Sequence, residues 1–89
     1  MRTKEGFMLR QLGNQYVVVA LGKASEEFHG IIRLNQTGAF LWEKLSEKDT
    51  SEEALTEAMM SAYEIDAETA RKDVEEFLQA LEQAELLRE

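Results

Sequence analysis

The sequence contains no cysteine, no proline and only one histidine, His29. Without thiols there are no disulfides and no thiolate-bound zinc or iron–sulfur centre. One histidine cannot build a His-rich metal site, so neither a metal nor a cofactor is expected. A Ser-His-Asp arrangement would have to use His29, which sits in a strand-like run, and Ser25, Ser46, Ser51 and Ser61 have no basic partner. The five glycines, Gly6, Gly13, Gly22, Gly30 and Gly38, never cluster into a phosphate loop. Long apolar runs are missing too. Residues 1–15 lack the continuous apolar stretch of a signal peptide, and nothing approaches the ~20 apolar residues of a membrane helix. The expectation is one cytoplasmic domain over residues 1–89, not an enzyme and with no membrane partner.

Positive charge is also scarce: 10 Lys and Arg stand against 18 Asp and Glu, a net charge of −8. The imbalance is local. Arg2, Lys4, Arg10 and Lys23 crowd the first quarter, whereas most of the acids follow residue 43. A phosphate backbone needs a basic footprint, so nucleic acid is an unfavourable partner. The carboxylate pairs Glu26-Glu27, Glu52-Glu53 and Glu75-Glu76 lie in polar stretches and read as solvated surface, whereas catalytic carboxylates need burial or a charged neighbour.

What is present is periodicity. The hydrophobic share is 44%, enough for a folded core. Residues 6–12 and 15–21 are β-rich runs about Gly13-Asn14, the pattern of a hairpin. Residues 22–27 are polar and turn-like. Residues 28–34 (FHGIIRL) form a third strand candidate, with Phe28, Gly30, Ile32 and Leu34 on one face and His29, Ile31 and Arg33 on the other. Asn35 then suits a helix N-cap, accepting from Thr37 or Gly38. Beyond it Gly38, Leu41, Trp42 and Leu45 share one helix face, and Phe40 lies off it. Phe40 suits either a partner or the cover of the next helix. Thr50 or Ser51 caps that helix, Thr50 with Glu53 as a capping box, and its stripe is Leu55, Ala58, Met59 and Ala62. Asp66 caps a last helix over 67–84, with Ala70, Val74, Phe77, Leu81 and Ala84 as stripe and Leu78 beside it. Leu86 and Leu87 pack back. The order βββααα implies an α+β domain: a three-stranded antiparallel sheet followed by three helices that cover it.

If the sheet runs in sequence order, strand 28–34 is an edge whose free N–H and C=O groups offer a docking line for an extended peptide. The same edge would serve a homodimer. The order of elements also fits a winged helix-turn-helix that reads DNA, but the last helix carries only Arg71 and Lys72 before Arg88, among many acids.

Ile32-Arg33-Leu34-Asn35-Gln36-Thr37-Gly38-Ala39, followed by Leu41-Trp42 and Leu45, resembles the LNxTGaxxW signature of the PqqD family (pyrroloquinoline quinone synthesis protein D). Gly6-Phe7 to Arg10, Asp49-Thr50, and Asp73-Val74 with Phe77-Leu78, Leu81 and Leu86-Leu87 are similar to its flanking segments, so the resemblance spans nearly the whole chain. It implies a winged helix-turn-helix-like domain without cofactor or catalysis that recognises ribosomally made precursor peptides. The leader would add to the third strand and lie against the last helix, to be presented to a modifying enzyme, commonly a radical S-adenosylmethionine (radical SAM) enzyme. Carried onto this chain, the peptide-facing backbone is Phe28, His29, Gly30, Ile31, Ile32, Arg33 and Leu34. The helix wall is Arg71, Val74, Glu75 and Leu78, with Arg71, Lys72 and Arg33 suited to acids in a leader. Val74 also fits plain core, and Arg71 a solvated face.

Overall fold

The computed structural model describes residues 1–27 and 30–88. Its elements are β1 (Arg2–Thr3), β2 (Phe7–Leu12), β3 (Gln15–Ala20), α1 (Ala24–Glu27), β4 (Ile32–Leu34), α2 (Gln36–Glu47), α3 (Glu52–Tyr63), α4 (Ala67–Gln83) and β5 (Leu87–Arg88). The main sheet is antiparallel in the order β2-β3-β4, so β4 is an edge. The α+β layout of a three-stranded sheet followed by three long helices is as the sequence leads one to expect. Two small elements are additional. Residues 22–27 contain the one-turn α1, and β1 pairs with β5 as a separate two-stranded ribbon.

The hairpin turns at Gly13, whose φ of 65° lies in the left-handed region. Its register runs from Phe7↔Ala20 to Leu12↔Gln15. Cross-strand neighbours Leu9, Val18 and Ile32 line one row on the inner face, where Val18 is fully buried and the other two pack against the core. On the opposite face Val17 stands in register between Arg10 and Arg33. Gly6 holds the start of β2 against α1. It has a φ of 93°, a Cβ there would sit 2.9 Å from the Ala24 Cβ, and its carbonyl accepts the Leu21 amide at 2.7 Å. Only glycine satisfies both constraints.

The third strand is shorter than the pattern 28–34 suggests. Gly30 and Ile31 are exposed and lie outside β4, while Phe28 and His29 lie outside the described residues. Gly30 therefore precedes the strand instead of sitting within it.

Each long helix begins on a side-chain cap. The Asn35 Oδ1 accepts the Gly38 amide at 2.7 Å and the Thr37 hydroxyl at 3.0 Å. A Cβ on Gly38 would lie 3.3 Å from that of Leu34, so α2 starts pressed against the end of β4. Ser51, not Thr50, caps α3, accepting the Ala54 amide at 3.0 Å. Thr50 is committed elsewhere: its amide donates to the Met1 carbonyl at 2.8 Å and its hydroxyl to the Lys48 carbonyl at 3.0 Å. The buried stripe of α3 is also turned from the expected one. Leu55, Thr56 and Met59 are buried and Ala62 is exposed. Burial of Thr56 is tolerated because its hydroxyl donates to the Glu52 carbonyl at 2.9 Å.

Asp66 caps α4 by accepting the Thr69 amide at 2.8 Å. Hydrogen bonds from Thr69, side chain first and then backbone, hold its carboxyl below the ordinary value of 3.8. A depressed folded-state value means stability that is present above pH ~3.8 and lost as pH falls through the folded value. Asparagine caps equally well but does not titrate there. The substitution Asp66→Asn should therefore leave stability near pH 7 almost unchanged. In urea titrations from pH 6 down to pH 2.5, it should remove this residue's share of the acid-limb slope.

The core collects where α2 meets everything else. This helix touches β1, β2, β3, β4, α3 and α4. Leu41, Trp42 and Leu45 from α2 join Val18, Leu55, Met59, Ala70, Val74, Phe77, Leu81 and Leu86 in one buried cluster. Phe40 packs edge-on against Tyr63 of α3 at 5.5 Å between ring centroids, and the Lys44 ammonium lies 5.3 Å from its ring. Of the two roles open to Phe40 from sequence, the structure shows the cover of α3. Glu64 and Glu85 adopt left-handed backbone after α3 and α4, where glycine is the common choice. The second turn redirects the chain so that Leu86 is buried and Leu87 pairs with Thr3.

Candidate functional site

Among the described residues β4 pairs on one side only, with Tyr16↔Leu34, Val17↔Arg33 and Val18↔Ile32. On its other side the backbone is open, and successive residues of an edge strand turn their amides alternately to the neighbour and to the open side. The N-cap of α2 fixes where the strand ends, so the open edge has a defined register. Ile32 and Leu34 are half-buried on the inner face, and Arg33 is exposed on the outer one.

Beside this edge runs a small groove of about 200 Å³. Its strand side is Arg33 and Leu34, its floor includes Gly38 and Leu41 of α2, and its far wall is Asp73, Glu76, Phe77 and Ala80 of α4. It is smaller than the cavities that enclose cofactors or drug-sized ligands, and the right scale for a few side chains of an extended chain. Ala80 is the smallest side chain of that wall and is exposed, whereas Phe77 is mostly buried. The ion pairs among the described residues, Arg88 with Glu5 and the Met1 ammonium with Asp49, both at 3.9 Å, involve none of the groove's charges. Asp73 and Glu76 thus line the groove with no ion pair to a described residue.

The residues expected from the sequence divide into two groups. Ile32, Arg33 and Leu34 form the open edge. On α4, however, the groove wall is not built from Arg71, Val74, Glu75 and Leu78. Val74 is fully buried in the core. Arg71 and Glu75 line a separate hollow with Glu52, Thr56 and Met60 of α3, and Leu78 lines another with Met1 and Leu87. Asp73, Glu76, Phe77 and Ala80 are the α4 residues that line a hollow with Arg33 and Leu34 of the edge strand. The two sets flank the same apolar stripe on opposite sides. The 3.6-residue period identifies both flanks but not which one meets the sheet, because that depends on the hand with which three helices wrap it. Among the described residues no cluster of His, Asp and Glu is arranged to hold a metal ion. No helix among them is long and apolar enough to cross a membrane.

Residues 15–87 match the sequence pattern of the family described as Coenzyme PQQ synthesis protein D. The chain belongs to the PqqD family. No curated protein matches it significantly. Two solved structures share the fold of this chain. One is described as TbiB1 in complex with the TbiA(beta) leader peptide. It is 24% identical with a TM-score of 0.73, over 99% of this chain and 95% of that one. The other, described as lasso peptide synthetase B1 complexed with the leader peptide, is 17% identical with a TM-score of 0.65, over 92% of this chain and 89% of that one.

Proposed function

We propose that this PqqD-family domain captures the leader segment of a ribosomally synthesised precursor peptide and presents it to a modifying enzyme. The observation that carries the reading is the open edge of β4 lying directly beside the groove against α4. Backbone hydrogen bonds to the edge supply affinity without regard to sequence, and the groove selects among side chains. Two similar folds were solved as complexes with leader peptides, which supports the same use here. The domain works as a non-catalytic chaperone in the cytoplasm. Its enzyme partner is of the radical SAM kind that the family resemblance implies. The exposed acids of α4, among them Glu68, Glu75, Glu76 and Glu82, argue against its use as a DNA-reading helix.

The test is a titration of isotope-labelled protein with synthetic peptides tiling the leader of a precursor encoded beside the gene. Amide shifts should concentrate at residues 32–34 and at Asp73, Glu76, Phe77 and Ala80, leaving Arg71 and Glu75 nearly still. Shifts centred on the α3–α4 hollow, or none at all, would sink the proposed site.

A further inference from the structure

The geometry points to a leader with a basic residue next to an apolar anchor: a lysine or arginine two positions from an aliphatic or aromatic side chain. The inference rests on the capture reading and names the class of peptide it selects. A strand added to β4 turns alternate side chains inward, alongside Ile32 and Leu34, and into the groove. Neighbouring inward positions lie about 7 Å apart. Along α4, Asp73 precedes Phe77 and Glu76 precedes Ala80 by four residues each, a rise of about 6 Å. With the added strand lying along α4, one inward side chain meets the apolar patch of Leu34, Leu41, Phe77 and Ala80 while the next meets Asp73 and Glu76, residues that line one groove.

Both acids lack an ion-pair partner among the described residues, so a cation there gains attraction without breaking an existing pair. Asp73 is half-buried, which limits screening by salt. On the outer face the intervening residue of the leader lies beside Arg33, where an acidic or neutral side chain fits and a basic one is repelled. The charge sense is opposite to that inferred from Arg71 and Lys72, because the flank of α4 that carries them faces away from β4.

A phage-displayed library of random dodecamers, selected on the intact protein, provides the probe. Enriched peptides should share a Lys or Arg two positions from an apolar residue. By fluorescence anisotropy, exchanging that residue for Glu should weaken binding about tenfold, the scale of two partly screened ion pairs turned into repulsions. The charge-reversed protein, Asp73→Lys with Glu76→Lys, should prefer the Glu peptide. The neutral protein, Asp73→Asn with Glu76→Gln, should bind both alike. Equal binding of the Lys and Glu peptides by the native protein overturns the charge inference, as does a preference that survives neutralisation. If those peptides still require the β4 edge, capture itself stands. Selection of no peptide, or of peptides indifferent to a proline in β4, overturns capture and the charge inference together.

Discussion

A proline in β4 is expected to weaken leader capture on the order of 10–100-fold while leaving the domain folded, provided it replaces the residue whose amide faces the open side. Proline removes one backbone donor and fixes φ near that of an extended chain. In a three-residue edge strand the consequence depends on register. At one position the missing N–H belongs to the ladder with β3, and the strand is loosened. At the next it belongs to the free edge, and only an incoming peptide loses its partner. Ile32→Pro and Arg33→Pro, made separately, sample both senses. Circular dichroism and urea denaturation identify the variant that keeps native stability, and its affinity is the informative one. The carbonyl left without a donor on the peptide costs roughly 1–3 kcal/mol once buried in the complex. If the stably folded variant binds an enriched peptide as tightly as the native protein does, the peptide does not add to this edge.

How much of this site could be read from the sequence differs between its two walls. The end of the third strand was legible because a period of two residues stops abruptly at Asn35, whose cap geometry is local and depends on no distant contact. Asp66 and the hairpin at Gly13 were legible for the same reason. The choice between Thr50 and Ser51 was not, because Thr50 is claimed by a contact with Met1 from the far end of the sequence. The ribbon of β1 with β5 was likewise hidden: two residues on each strand leave no periodic signal, and the pairing depends on the turn at Glu85. The shortening of the third strand to Ile32–Leu34 followed from no feature of its alternation.

The helix wall required tertiary information. Ala70, Val74, Phe77 and Leu81 announced a buried stripe and are buried. Phe77 serves twice, closing the core and forming part of the groove wall. From sequence alone the flank with Arg71, Glu75 and Leu78 and the flank with Asp73, Glu76 and Ala80 are equivalent. The order in which α2 and α3 pack distinguishes them, since α3 occupies the first flank and leaves the second beside β4. The groove is acidic because of that packing choice, not because of overall charge.

Trp42 should prove the residue on which this arrangement most depends. It is 2% exposed, lies on the helix that touches both the sheet and the other two long helices, and is the sole tryptophan of the chain. Truncating a buried tryptophan to alanine costs about 3–5 kcal/mol in lost transfer energy and cavity formation. A domain of 89 residues has a total stability of roughly 4–13 kcal/mol at the usual ~0.05–0.15 kcal/mol per residue. Trp42→Ala is thus expected to lower the urea midpoint by roughly a quarter or more and, at the low end of that range, to leave the chain largely unfolded. Far-UV circular dichroism must follow the transition, because the substitution removes the only indole. Trp42→Phe keeps most of the apolar volume and should fold with a smaller loss. Its neighbour Leu41 lines the groove, so the two variants also separate stability from recognition. Once folded, the phenylalanine form should still bind peptide, with affinity reduced only as far as the start of α2 shifts against Leu34. A midpoint for Trp42→Ala equal to the native one would mean that the sheet and helices are held together elsewhere, and that α2 is not the element that sets the width of the groove.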